Sequence, residues 1–176
     1  MSMMAETTSG GDPDAVIVET VTRLKDEGNA AYKRRDLANA ARCYGEAIRV
    51  VMPAVDPLML SISSNPRAPS PALLRLRAAL CCNRGAVFLG LAKLPDQGLL
   101  ADPIVRSAMG RAGSGLAAGA SVAETRAHVL KTAEAMLQDV LNSEKPSPED
   151  LRAKAEARLE TVKSVQRALA AEAPPI

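Results

Sequence analysis

Few residues in this 176-residue chain have the types and spacing that catalysis requires. His128 is the only histidine, and no nucleophile stands at a useful distance from it in the sequence. Cys43, Cys81 and Cys82 do not form ligand pairs with His128 of the kind that zinc sites show. The glycine cluster that begins at Gly110 follows no predicted strand and lacks the Gly-Lys-Ser/Thr of a phosphate loop. We therefore expect no enzyme activity, no cofactor and no metal.

Hydrogen-bond donors have a more informative arrangement. Lys25 and Asn29 are four residues apart and would share one face of a helix, and Lys154 and Arg158 repeat this spacing. Asn83 stands two residues before a glycine, whereas Asn29 directly follows one. Ammonium, amide and guanidinium groups are the donors that a carboxylate, which can only accept hydrogen bonds, requires.

Hydrophobic periodicity predicts an all-α chain with about five main helices. Caps are expected at Asp36, Ser70 and Ser121. The expected helices start at Ala15 and then cover Leu37–Val51, Pro71–Lys93, Val122–Asn142 and Glu149–Ala171.

Two long loop insertions interrupt this pattern. The first is a proline-rich loop over 53–70 with a helical piece at Leu58–Ser61, and the second covers 95–121 with a helical turn at Ile104–Met109. We expect a disordered segment at 1–16, one helical domain at 17–171 and a frayed tail at 172–176.

The segment LKDEGNAAYKRRDLANAARCYGEAIRV carries small residues and one aromatic residue at regular spacing. Ala40 lies twelve residues after Gly28, Tyr44 four residues later and Ala47 three after that, before Pro53. The segment resembles a tetratricopeptide repeat, here over 21–54, in which Pro53 closes the unit. A second copy opens at ALCCNRGAVFLGL, over 71–94. Its glycine lies 57 residues after Gly28, and its partner helix is displaced to 122–142. The last helix, 149–171, would be a cap or the opening helix of a third repeat. The resemblance implies a short, degenerate solenoid of helical hairpins.

The chain further resembles the co-chaperone adaptors of this family, which hold acidic C-terminal tails ending Glu-Glu-Val-Asp in a carboxylate clamp. The resemblance assigns peptide-binding roles to Lys25, Asn29, Asn83, Lys154 and Arg158. A second alignment of the final helix, on its Ala-Arg-Leu-Glu, moves the last two roles to Asp150 and Lys154, and the sequence leaves both alignments open.

Composition limits the remaining possibilities. The net charge of +2 and the 2% aromatic content do not favour nucleic-acid binding. No apolar run is long enough for a membrane span, and the start lacks a signal-peptide pattern. We expect a cytoplasmic monomer with buried, reduced thiols that binds the tail of a heat-shock chaperone or another acidic-ended peptide. The alternative is a structural subunit that docks in a larger complex without clamp activity.

Overall fold

The computed structural model describes residues 13–56, 60, 68–108, 116–117, 119–143 and 148–172, which contain α-helices and no strand. Five helices are long and two are short. In chain order they are α1 (Pro13–Lys33), α2 (Leu37–Val55), α3 (Pro71–Ala92), α4 (Asp96–Ala101), α5 (Pro103–Ala108), α6 (Val122–Leu141) and α7 (Glu149–Glu172). The all-α prediction is therefore confirmed for the described residues. None of their helices is long and apolar enough to cross a bilayer.

The long helices form two layers. Each packs against the next along the chain, in the order α1, α2, α3, α6 and α7. In addition, α3 contacts both α1 and α7, so these three helices form one layer while α2 and α6 lie on the other side of α3. The short helices lie beside the second layer, where α4 contacts α6 and α5 contacts α2.

Side-chain caps fix where three of the helices begin, as the sequence predicts. The Asp36 carboxylate accepts a hydrogen bond from the Asn39 N–H at the start of α2, and Ser70 accepts one from the Leu73 N–H at the start of α3. Ser121 and Glu124 form a reciprocal capping box at the start of α6. These contacts satisfy amide groups that the first turn of a helix leaves without partners.

Glycines let the helices of each hairpin approach closely. A Cβ atom at Gly28 would lie 2.6 Å from Tyr44 Cε1, so the tyrosine ring occupies the space of the missing side chain. In the second hairpin a Cβ at Gly85 would lie 3.0 Å from Leu137 Cδ2. Ala133, Leu137 and Val140 on α6 repeat the spacing of Ala40, Tyr44 and Ala47 on α2, and all six side chains are buried.

The structure corrects two predicted boundaries. Residues 13–16, assigned to the disordered segment, are helical because Pro13 suits a first helical position and Asp14 complements the helix dipole. Pro53 does not end α2, which continues to Val55. Val55 is buried at 3% exposure, so packing of the last turn outweighs the hydrogen bond that proline removes.

The second insertion, 95–121, was predicted to be a loop, and here the structure differs most from the prediction. Its described residues contain two helices, and residues 104–108 of the predicted turn at Ile104–Met109 belong to α5. Residues 109–115 and 118 lie outside the described part. Leu99 and Val105 are buried, at 0% and 2% exposure. Arg126 of α6 donates to the Leu94 carbonyl at 2.9 Å and to Asp96 at 3.0 Å, which attaches the insertion to the second layer.

Other predictions fall partly outside the described residues. Of the helical piece at Leu58–Ser61, only Leu60 is described, and its N–H bonds to the Asp56 carbonyl at 2.9 Å, as in a helix. Residues 1–12 and 173–176 are likewise outside, while residue 172, assigned to the tail, ends α7. All three cysteines are free and buried, as expected.

Substitution of Gly28 by alanine tests the close approach of α1 and α2. The new Cβ must displace the ring of Tyr44, which is only 2% exposed and has little room to move. Because 2.6 Å is well inside contact distance, the overpacking cost should lie in the upper part of its usual range, at about 2–3 kcal/mol, against about 1 kcal/mol that alanine gains in a helix. We expect Gly28→Ala to lower the free energy of unfolding by about 1–2 kcal/mol, measured by urea unfolding.

Gly98→Ala on α4 is the matched control. A Cβ there meets no atom closer than 3.8 Å, so the alanine should be neutral or stabilising. Equal stability of Gly28→Ala and the wild type would contradict the close packing of Tyr44 against α1.

Candidate functional site

The predicted donors converge on a small cleft in the first layer. Asn29 of α1, Asn83 of α3 and Arg158 of α7 line one cavity of about 250 Å³. Its other lining residues are Tyr32, Lys33, Tyr44 and Ala86. Each of these three helices therefore contributes one of the predicted residues.

A hydrogen-bond network fixes the orientation of the Asn29 amide. Its Oδ1 accepts from the Tyr44 hydroxyl at 2.7 Å and from Asn83 Nδ2 at 3.1 Å. Because both bonds end on the oxygen, the Nδ2 group of Asn29 is left as the available part of the amide, and it can only donate.

Tyr44 is the buried member of this hydrogen-bond network. The ring packs against Gly28, and burial, together with the neighbouring Tyr32, raises the pKa of Tyr44 to about 12. The positive charge of Arg158 and a hydrogen bond from Asn83 partly offset this rise in the pKa. Tyr44 therefore keeps its proton at neutral pH and remains a donor to Asn29.

The cleft favours one of the two alignments of α7. Arg158 lines the cavity and donates from Nη1 to the Cys82 carbonyl at 2.6 Å. The charges of both Arg158 and Lys154 lower the pKa of the Cys82 thiol, against the larger effect of burial, which raises it. Asp150 instead lies 3.5 Å from Arg75 Nη2. The face of α7 that meets the cleft thus presents Arg158, with Lys154 one turn before it.

The two predicted lysines do not line the cavity. Lys25 lies one helical turn before Asn29, and its Nζ is 3.9 Å from Asp26 Oδ1. Lys154 is exposed one turn before Arg158. Their positions place two more cations beside the cleft without direct contact to its lining.

Sequence reasoning missed Lys33 and Tyr32 as lining residues and gave Tyr44 only a packing role. Lys33 follows Asn29 by four residues, as Asn29 follows Lys25, so the same spacing rule could have found it. No sequence pattern indicates the hydrogen bond of Tyr44, because that bond joins two helices.

Chemically, the cleft is a set of fixed donors. Among the described residues that line it, none is a carboxylate and two are cations, Lys33 and Arg158. Within the described ranges, no group of three or more histidine, cysteine or acidic residues could hold a metal ion. The arrangement suits an acceptor-rich, negatively charged group.

Comparison with known proteins does not assign the chain to a family. No family model, curated protein or solved structure gives a significant match. The tetratricopeptide resemblance therefore stays a prediction from the residues of this chain.

The raised pKa of Tyr44 can be measured directly. In a Tyr32→Phe variant Tyr44 is the only tyrosine, and we expect phenolate absorbance to give a native pKa that burial still raises above the unfolded pKa near 10. The native pKa should be lower than the value of about 12 in the wild type, because the contribution of Tyr32 is absent. Because the fold favours the neutral phenol, this contribution to stability is complete below pH 10 and is lost as the pH rises towards 12.

In the Tyr44→Phe variant, which has no phenol at this position, this part of the loss of stability at alkaline pH should be absent. A native pKa at the ordinary tyrosine value would contradict the buried, hydrogen-bonded position of the hydroxyl.

Proposed function

We propose that this protein is a non-enzymatic adaptor that binds the free C-terminus of an acidic peptide in the cleft between α1, α3 and α7. The convergence of Asn29, Asn83 and Arg158 from three helices is the observation that carries the proposal. The partner expected from the resemblance is the tail of a heat-shock chaperone, which would make the protein a co-chaperone.

The helix arrangement supports a degenerate tetratricopeptide architecture. The order of contacts, α1 with α2, α2 with α3, α3 with α6 and α6 with α7, is that of stacked hairpins. The glycine crossings at Gly28 and Gly85 occupy corresponding places in the two hairpins. The insertion that stretches the period contacts α6 and α2 and contributes no described residue to the cleft.

Donor chemistry supports a carboxylate as the ligand group. The two hydrogen bonds described for Asn29 end on its Oδ1, so its Nδ2 is the part that can donate to a ligand, and Arg158 uses one of its five N–H groups on the Cys82 carbonyl. Lys25, Lys33 and Lys154 surround these donors with positive charge. A carboxylate placed here would meet donors on three sides.

The expected affinity is modest. A hydrogen bond to a charged group contributes about 1.5–3 kcal/mol, and less where it is exposed. A few such bonds with one apolar contact reach about −8 kcal/mol, which corresponds to a micromolar dissociation constant. The cleft is large enough for a chain end, so affinity should depend on the terminal residue.

Titration with a labelled peptide ending Glu-Glu-Val-Asp tests the proposal. We expect micromolar binding of the free-acid peptide and at least about tenfold weaker binding of the C-terminally amidated form, because amidation removes the charge. Equal binding of the two peptides, or no binding of either, would refute the clamp.

Single substitutions identify the contacts. Asn83→Ala and Arg158→Ala should each weaken binding by about ten- to a hundredfold, as expected for loss of a bond to a charged group. Arg23→Ala is the control, because Arg23 lies on α1 but is exposed and paired with Glu27 at 2.6 Å. An effect of Arg23→Ala as large as that of Asn83→Ala would indicate general charge attraction instead of a site.

A structural subunit is the alternative, and the apolar groove between α2 and α6 is the feature that favours it. Such a subunit should be oligomeric or poorly soluble alone and indifferent to Lys25→Ala combined with Asn29→Ala. A clamp protein should be monomeric and should lose peptide binding in that double variant.

A further inference from the structure

A second cavity system lies on the other side of α3, in the groove between α2 and α6. One part has a volume of about 890 Å³ and reaches Pro103 and Ile104 of α5. The other has a volume of about 880 Å³ and reaches Leu116. Both parts are lined by Ile48, His128 and Thr132, so they form one continuous groove.

Arg84 lies in the first part of this groove, where no described residue serves as its counter-ion. Its guanidinium carbon lies 5.6 Å from the centre of the Phe88 ring, and a Cβ at Gly45 would be 3.4 Å from the same carbon. The Nε atom is buried and has no hydrogen-bond partner among the described residues. Burial lowers the pKa of Arg84, and the charge of Arg49 lowers it further.

Two of the other partly buried arginines have carboxylate partners. Arg77 lies 2.7 Å from Asp139, and Arg126 lies 3.0 Å from Asp96. In the described part of the chain, no carboxylate acts on the pKa of Arg84 and none forms an ion pair with it. A buried charge without a partner is unfavourable, which makes Arg84 a position where an external anion would stabilise the fold.

Positive charge and apolar surface divide the groove into two parts. Arg49 lines the cavity with Arg84, and Arg42 lines it too but lies 3.4 Å from Glu46. Beyond Ile48 the walls include Met52, Met136, Leu116 and several alanines, and the exposed side chains of Glu124 and Lys131 also line this part. The arginine in that second part, Arg77, is already neutralised by Asp139. An anionic group would therefore be held at Arg84, and an apolar body would extend away from it.

We propose that this groove binds a small amphipathic anion, with a carboxylate or phosphate head at Arg84 and Arg49 and an unbranched apolar chain along Ile48, Met52 and Met136. Each part of the groove, at about 890 and 880 Å³, falls in the range of small-molecule sites, which is about 300–1,000 Å³. The site lies in the layer opposite the peptide cleft and does not depend on the proposed adaptor function.

Calorimetric titration with four probes tests the head and the chain separately. Dodecanoic acid and dodecyl phosphate, below their micellar concentrations, should bind with micromolar dissociation constants and raise the melting temperature. Dodecanol should bind at least about tenfold more weakly, and inorganic phosphate should bind more weakly still. Equal binding of dodecanol would overturn the anionic head, and equal binding of inorganic phosphate would overturn the apolar chain.

Two substitutions assign the binding to Arg84. Arg84→Met keeps an unbranched side chain beside Phe88 and should weaken dodecanoate binding by about tenfold or more. Arg49→Glu places a carboxylate beside Arg84, so it should raise the melting temperature without ligand and weaken dodecanoate binding. It also tests the proposal if Arg84→Met does not fold.

Arg167→Glu on α7 is the matched charge reversal, since Arg167 is exposed and does not line the groove. It should leave dodecanoate affinity unchanged within about twofold. Unchanged affinity in both Arg84→Met and Arg49→Glu, or an equal loss in Arg167→Glu, would overturn the site.

Discussion

The contact between Gly28 and the ring of Tyr44 is the constraint on which the candidate site depends. It sets the separation of α1 and α2, because no side chain fits between the α1 backbone and the ring. The same tyrosine then uses its hydroxyl, 2.7 Å from Asn29 Oδ1, to hold the amide that follows Gly28 in the chain. A packing contact and a polar contact of one residue thus connect the core to the cleft.

The second hairpin repeats the packing without the polar contact. Leu137 meets Gly85 as Tyr44 meets Gly28, but leucine has no hydroxyl, so Asn83 is oriented from the first hairpin through Asn29. The two amides therefore form a single unit whose geometry depends on how α3 docks on α1. This dependence explains why a chain with so irregular a repeat spacing can still bring the donors together.

Local signals allowed most of the long helices to be predicted. Asp36, Ser70 and Ser121 mark their helix starts through contacts within one turn, which a sequence pattern can reveal. Pro53 and the insertion were misjudged because burial of Val55 and of Leu99 decides those segments, and burial depends on distant parts of the chain. For the cleft, the spacing of donors on α1 was informative, whereas the bond from Tyr44 and the choice of Arg158 over Asp150 arise only from packing.

The central position of α3 accounts for the two different surfaces. Asn83 and Arg84 are neighbours in sequence, and a helix turns about 100° between neighbours, so one can face α1 and α7 while the other faces α2. The asparagine is neutral and is satisfied by Asn29, whereas the arginine carries a charge into a groove that holds no partner for it. The cleft is thus complete in its own hydrogen bonds and open to an additional acceptor. In the groove, Arg84 Nε is buried without a hydrogen-bond partner among the described residues, so an anion that binds there would also stabilise the fold.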